Sequence, residues 1–96
     1  MTPNPTIARI DRSAERLGLD LRKGPGENAR SISHGDRLYK ITPSGSGVVR
    51  IRSYLDEAVT NPRPGYRKGI NYVLDAEVVM LPNRLEEILV KIAAES

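Results

Sequence analysis

Apolar residues recur along the chain with two periods, and where the period changes marks the predicted elements. Ile7, Ile10, Ala14 and Leu17 follow one another at spacings of three, four and three, the single narrow stripe of a helix. Asn4 stands where an N-cap belongs, Pro5 suits the first helical position, and Gly18 suits a left-handed C-terminal residue, so a helix is predicted over 5–17. From Leu19 to Lys23 the period drops to two, with Leu19 and Leu21 set against Asp20 and Arg22, which reads as a short strand. Gly24 to Gly35 is rich in Gly, Ser, Asn and Pro and reads as a loop.

A hairpin follows. Arg37–Thr42 and Val48–Ser53 flank the turn residues Pro43-Ser44-Gly45-Ser46-Gly47. With Thr42 opposite Val48, Tyr39 and Ile41 share one face with Ile51 and Val49. Lys40 then faces Arg50, and Leu38 faces Arg52, on the other. Residues 54–59, Tyr-Leu-Asp-Glu-Ala-Val, read equally as a short helix or as more strand. Asn61-Pro62-Arg63-Pro64-Gly65 is a turn, because two close prolines remove ladder donors. Tyr72 to Met80 alternates again, and a helical reading would place Glu77 inside the apolar face, so a strand is predicted. A last helix is predicted over 84–94, with Asn83 as cap, Glu86 completing a capping box, and Leu85, Ile88, Leu89 and Ile92 as its apolar face. Glu87 and Lys91 would pair at i,i+4. The order α-β-β-β-β-α predicts an α+β fold: one small antiparallel sheet with the N-terminal and C-terminal helices packed on it.

At 96 residues the chain has room for a single small domain. Cysteine is absent and His34 is the lone histidine, which argues against disulfide scaffolds, thiol chemistry and histidine-rich metal cages. No cofactor is expected. Phe and Trp are absent too, so the core is aliphatic. No run of 18 apolar residues occurs, and the first residues, Met-Thr-Pro-Asn-Pro, lack the basic and apolar regions of a secretory signal. A cytoplasmic domain without membrane contact is the expectation. The net charge of +3 is uneven: residues 1–68 carry +6 and residues 69–96 carry −3. Eleven of the fifteen cations are Arg, which suits the codon usage of a GC-rich genome as well as bidentate anion contacts.

Three constellations resemble chemistry. Gly24-Pro25-Gly26-Glu27-Asn28-Ala29 has the spacing of a dinucleotide fingerprint, but that mechanism needs a helix N-terminus next and Gly35 would break one. Glycine amides with Arg30 could form a looser phosphate nest. Ser31, Ser33, His34 and Asp36 include the residue types of a hydrolytic triad, yet neighbours on one loop rarely converge as a triad must. Glu86 and Glu87 are adjacent on a helix and point apart, so they make no carboxylate pair. An enzyme is not expected.

The cations make a better case. Arg9, Arg12 and Arg16 are helix neighbours that repel unless an anion, or Glu15 beside Arg12, relieves them. Lys40, Arg50, Arg52 and Tyr54 would share a sheet face, suited to phosphate contact and base stacking unless Asp75 and Glu77 neutralise it. Arg63, Arg67 and Lys68, around Tyr66, repeat the basic-plus-tyrosine theme. These ten residues are the candidate nucleic-acid contacts, with no base-reading motif among them.

Residues 12–19, Arg-Ser-Ala-Glu-Arg-Leu-Gly-Leu, then Leu21-Arg22-Lys23, a polar loop, and His34-Gly35 before Leu38-Tyr39-Lys40-Ile41 resemble a group of small uncharacterised proteins of actinobacteria and their phages. The resemblance covers about residues 9–59, with Leu55-Asp56-Glu57 echoing that group's closing helix. It implies an origin and no activity. Small phage-type proteins often act by docking on a host protein, so the leading expectation is a non-enzymatic accessory protein that binds a host protein or itself. The homodimer would use strand 72–80 or the last helix, where Val90 lies off the main apolar face. Sequence-non-specific nucleic-acid binding is the alternative.

Overall fold

A computed structural model describes residues 4–24, 26–45, 47–65 and 67–95. Helix α1, Pro5–Leu17, begins as its sequence dictates: Asn4 Oδ1 accepts from the Thr6 amide at 2.9 Å and the Ile7 amide at 3.4 Å. It ends at Gly18, whose φ of 72° lets the amides of Gly18 and Leu19 donate back to Glu15 and Ala14. That closure alters the expected strand at 19–23. The Leu19 amide is spent on the helix end, so strand β1 is only Arg22–Lys23, while Leu19 and Leu21 pack on the core from an irregular connection.

The chain then makes strand β2, Arg30–His34, where the sequence predicts loop. The inward positions of β2 are Arg30, Ile32 and His34, so one apolar residue marks the whole strand and periodicity hides it. Arg30 is nevertheless buried, because Asp11 of α1 takes its guanidinium bidentately at 2.9 and 3.0 Å and the carbonyls of Glu27 and Ala29 accept the rest. Strands β3, Arg37–Pro43, and β4, Val49–Asp56, form the predicted hairpin. Its register is displaced by two residues from the expected one: Pro43 faces Val49, Ile41 faces Ile51, Lys40 faces Arg52 and Leu38 faces Tyr54. The Ser44 amide donates to the Val48 carbonyl, which keeps Val48 in the turn and brings Pro43 into the ladder. A two-residue displacement preserves the face of every side chain.

The ambiguous stretch after Ser53 resolves into both alternatives. β4 continues to Asp56, and a single helical turn, α2, Glu57–Thr60, follows. Asp56 is buried and holds the connection at two points: Oδ1 caps α2 through the Ala58 amide, and Oδ2 accepts from the Gly69 amide at 2.7 Å. Strand β5, Tyr72–Met80, matches its predicted bounds. Helix α3, Pro82–Glu95, starts two residues before the expected position, because Pro82 has no N–H to lose at the first turn. Asn83 is therefore inside the helix, and Glu86 reaches α1 instead of closing a capping box. Glu87 ion-pairs with Arg84 at 3.4 Å; no Glu87–Lys91 pair forms among the described residues.

The five strands lie in sequence order, β1-β2-β3-β4-β5, each antiparallel to the next. The α+β class and the antiparallel sheet stand, with one strand and one short helix more than predicted. Both long helices lie on one face. Ile10 of α1 and Leu85 and Leu89 of α3 close over Ile41, Val49 and Ile51. Among the described residues the other face carries neither long helix, and β5 forms one edge.

Candidate functional site

The structure separates the candidate cations into three groups. On α1, Arg9 ion-pairs with Glu86 of α3 and Arg16 approaches the same carboxylate at 3.8 Å, while the buried Ser13 hydroxyl donates to it at 2.8 Å. The Ser13 hydrogen bond and these guanidinium groups hold the Glu86 carboxyl below its ordinary range, outweighing partial burial. Arg9 and Arg16 thus clamp α1 to α3, and Arg12 stays exposed beside them. Two of the three α1 arginines thus meet a carboxylate that the sequence did not bring near them, because Glu86 lies about 70 residues away in the chain.

The helix-free sheet face brings the second group together. Register aligns Ser31, Lys40, Arg52 and Glu77 in one row across β2 to β5. Thr42 and Arg50 lie on one side of that row and Leu38, Tyr54 and Leu74 on the other. Glu77 accepts from Arg52 at 3.2 Å, and Arg50 Nε lies 3.1 Å from the other oxygen, an ion pair off the line of a hydrogen bond. Lys40 has no ion pair among the described residues; its Nζ sits 5.1 Å from the Tyr54 ring centroid. The expectation that Asp75 and Glu77 together neutralise this face is half corrected. A β-bulge at Asp75, where the pairing steps from Ser53–Ala76 to Tyr54–Leu74, turns Asp75 to the helix-side face. There Arg37 donates to Asp75 at 2.9 Å and to Ser53 at 3.1 Å, and the Asp75 bond raises the Arg37 pKa.

The third group, Arg63, Arg67 and Lys68, lies exposed on the connection that Asp56 anchors; Tyr66 falls outside the described residues. Sequence reasoning missed Asp56, whose role depends on Gly69 returning to it.

The enzyme-like constellations dissolve. The glycine segment at 24–29 is a turn between β1 and β2, closed by hydrogen bonds between Gly24 and Ala29 and between Ala29 and Gly26, and a strand follows it instead of a helix; Pro25 falls outside the described residues. Arg30, needed for a phosphate nest, is committed to Asp11. Ser31 and Ser33 point to the open face, while His34 turns to the helix side and meets Glu95 of α3 at 2.9 Å.

The edge supplies the remaining feature. β5 has nine residues, against two in the opposite edge strand β1. Val73, Leu74, Val78 and Val79 are each about half exposed, on both faces of the strand, and Leu81 follows at 56%. Val90 of α3 is also exposed, at 52%. No helix among the described residues is long and apolar enough to cross a membrane. Comparison with known proteins finds no matching family model, no matching curated protein and no matching solved structure.

Proposed function

We propose that this chain is a non-enzymatic binding protein that acts by strand addition at β5, with a second copy of itself as the occupant. The observation that carries the reading is the edge itself: nine residues long, apolar on both faces and open. Proteins usually blunt such an edge with lysine, proline or shortness, since its unpaired amides and carbonyls recruit further strands. β5 has neither lysine nor proline, and its bulge lies at Asp75, leaving Ala76–Met80 regular.

The side-chain order favours self-pairing in one register. Antiparallel pairing centred on Val78 sets Val78 against itself, Glu77 against Val79 of the partner copy and Ala76 against Met80 of the partner copy. Pairing centred on Ala76 would set Asp75 against Glu77, a like-charge contact that disfavours it. The sheets of the two copies then join, with helices on the same side. Leu81 and Val90 extend the apolar area toward α3, which fits the expectation that strand or last helix holds the dimer.

Sedimentation equilibrium tests this. The wild-type chain is expected at twice 10.6 kDa at tens of micromolar, and Val78→Lys, which sets two ammonium groups against each other on the symmetry axis, is expected at the monomer mass with unchanged circular dichroism. A wild-type monomer at several hundred micromolar would overturn the proposal.

A further inference from the structure

A second feature lies on the open face and takes none of its lining from β5. A groove of about 270 Å³ runs over β2, β3 and β4, lined by Ser31, Lys40, Thr42, Arg52 and Tyr54 and closed at one end by the β1–β2 turn at Gly24 and Ala29. Its floor contains a directly opposed like-charge pair, Lys40 and Arg52. Such a pair is unfavourable unless something negative lies between. The molecule answers only part of that demand. Glu77 is shared by Arg50 and Arg52, so Lys40, Arg50 and Arg52 meet one carboxylate, while Arg22, opposite Ser31 on the same face, pairs with Asp20 at 3.4 Å. Lys40 is the one left to an aromatic face, a contact weaker than a full ion pair for an exposed ammonium.

We infer that this groove binds the phosphate of a nucleotide, clamped between Lys40 and Arg52, with the base against Tyr54. Each part has a chemical reason. A guanidinium presents two parallel donors to a phosphate, and an ammonium adds a mobile point charge. The hydroxyls of Ser31, on the neighbouring β2, and Thr42, two residues along β3 from Lys40, lie on the same face and can donate to remaining phosphate oxygens. When Lys40 swings from the Tyr54 ring to the phosphate, it uncovers the ring face on which a base stacks, an interaction tolerant of base identity. The α1 arginines take no part, because none of them lines the groove. Arg63, Arg67 and Lys68, on the β4–β5 connection, do not line the groove.

The nucleotide could be free or part of a single strand, and the test separates the two. Fluorescein-labelled dT12, adenosine monophosphate and inorganic phosphate are titrated into the wild-type chain at low salt, with folding checked by circular dichroism. Wild type is expected to bind dT12 with a Kd in the micromolar range that weakens steeply with salt, as counterion release requires. Lys40→Gln and Tyr54→Leu are each expected to weaken binding about tenfold or more, and Arg12→Gln with Arg16→Gln to leave it within twofold. Binding of dT12 at least tenfold tighter than adenosine monophosphate assigns a single strand; equal binding assigns the free nucleotide. Inorganic phosphate binding as tightly as either overturns the role of Tyr54. No binding of dT12 or adenosine monophosphate overturns the site. So does loss of binding in the α1 double variant with Lys40→Gln unaffected. The Val78→Lys monomer should bind as wild type does, so failure of the dimer and failure of this site are read separately.

Discussion

Strands β3 and β5 belong to one sheet, two places apart, and their burial runs opposite to their composition. β3 contributes Leu38, Tyr39 and Ile41 to a strand otherwise polar, and Ile41 is fully buried. β5 contributes Val73, Leu74, Ala76, Val78, Val79 and Met80, and no residue of it is buried. The difference is positional. β3 is flanked by strands on both sides and roofed by α1 and α3, whereas β5 has a neighbour on one side only, and the helices close over β3 and β4. Apolar surface in excess at the least covered position is where a single copy has most to gain from a partner.

Removing the roofed side chain should cost most. Ile41→Ala is expected to lower stability by about 2–5 kcal/mol, from lost transfer energy and the cavity left under Leu85 and Leu89. Urea denaturation measures it, and a loss below 1 kcal/mol would contradict the packing described. The same measurement on Val78→Ser, at concentrations too dilute for association, is expected to show a change within about 0.5 kcal/mol. A large loss there would mean that β5 is covered within one copy, and the contrast between the strands would fall.

Asp56 sharpens the contrast from the side of the connection, since it ties the segment between β4 and β5 to the sheet. Asp56→Ala removes the α2 cap and the acceptor for Gly69, and a loss of about 1–2 kcal/mol is expected. Hydrogen exchange should rise over 57–71 while β3 remains protected. Equal deprotection of β3 and the connection would show that the two sides are not separable.

A smaller loss than that of Asp56→Ala concerns the helix layer that covers β3 and stops short of β5. The Glu86 pKa is lower in the folded chain than its ordinary value of 4.5. Its contribution is therefore complete above that value and is lost as pH falls through the lower folded pKa. Glu86→Gln is expected to cost at most about 1 kcal/mol at neutral pH, because Arg9 and Arg16 are largely exposed. It should also flatten the decline in stability on acidification, and thermal unfolding from pH 7 to pH 3 checks both. An unchanged acid limb would remove Glu86 from the clamp.

Several features of this protein are determined locally and are therefore legible in its sequence. The bounds of α1 follow from Asn4, Pro5 and Gly18, whose preferences act within a turn of themselves. The hairpin follows from alternation around a glycine-rich turn, and β5 from nine residues of period two. The α+β class follows from that order of elements. What tertiary structure decided depends on partners distant in the chain. β2 is a strand because Asp11 makes a buried Arg30 tolerable; without that partner Arg30 reads as loop. Arg9 and Arg16 read as unrelieved like charges until Glu86 folds against them. Asp75 and Glu77 read as one acidic pair until a bulge sends them to opposite faces. The alternation of β5 cannot state which edges of the sheet are covered, since that is settled by where the helices come to rest. Periodicity reports which way a side chain points; only the assembled layers decide what it meets there.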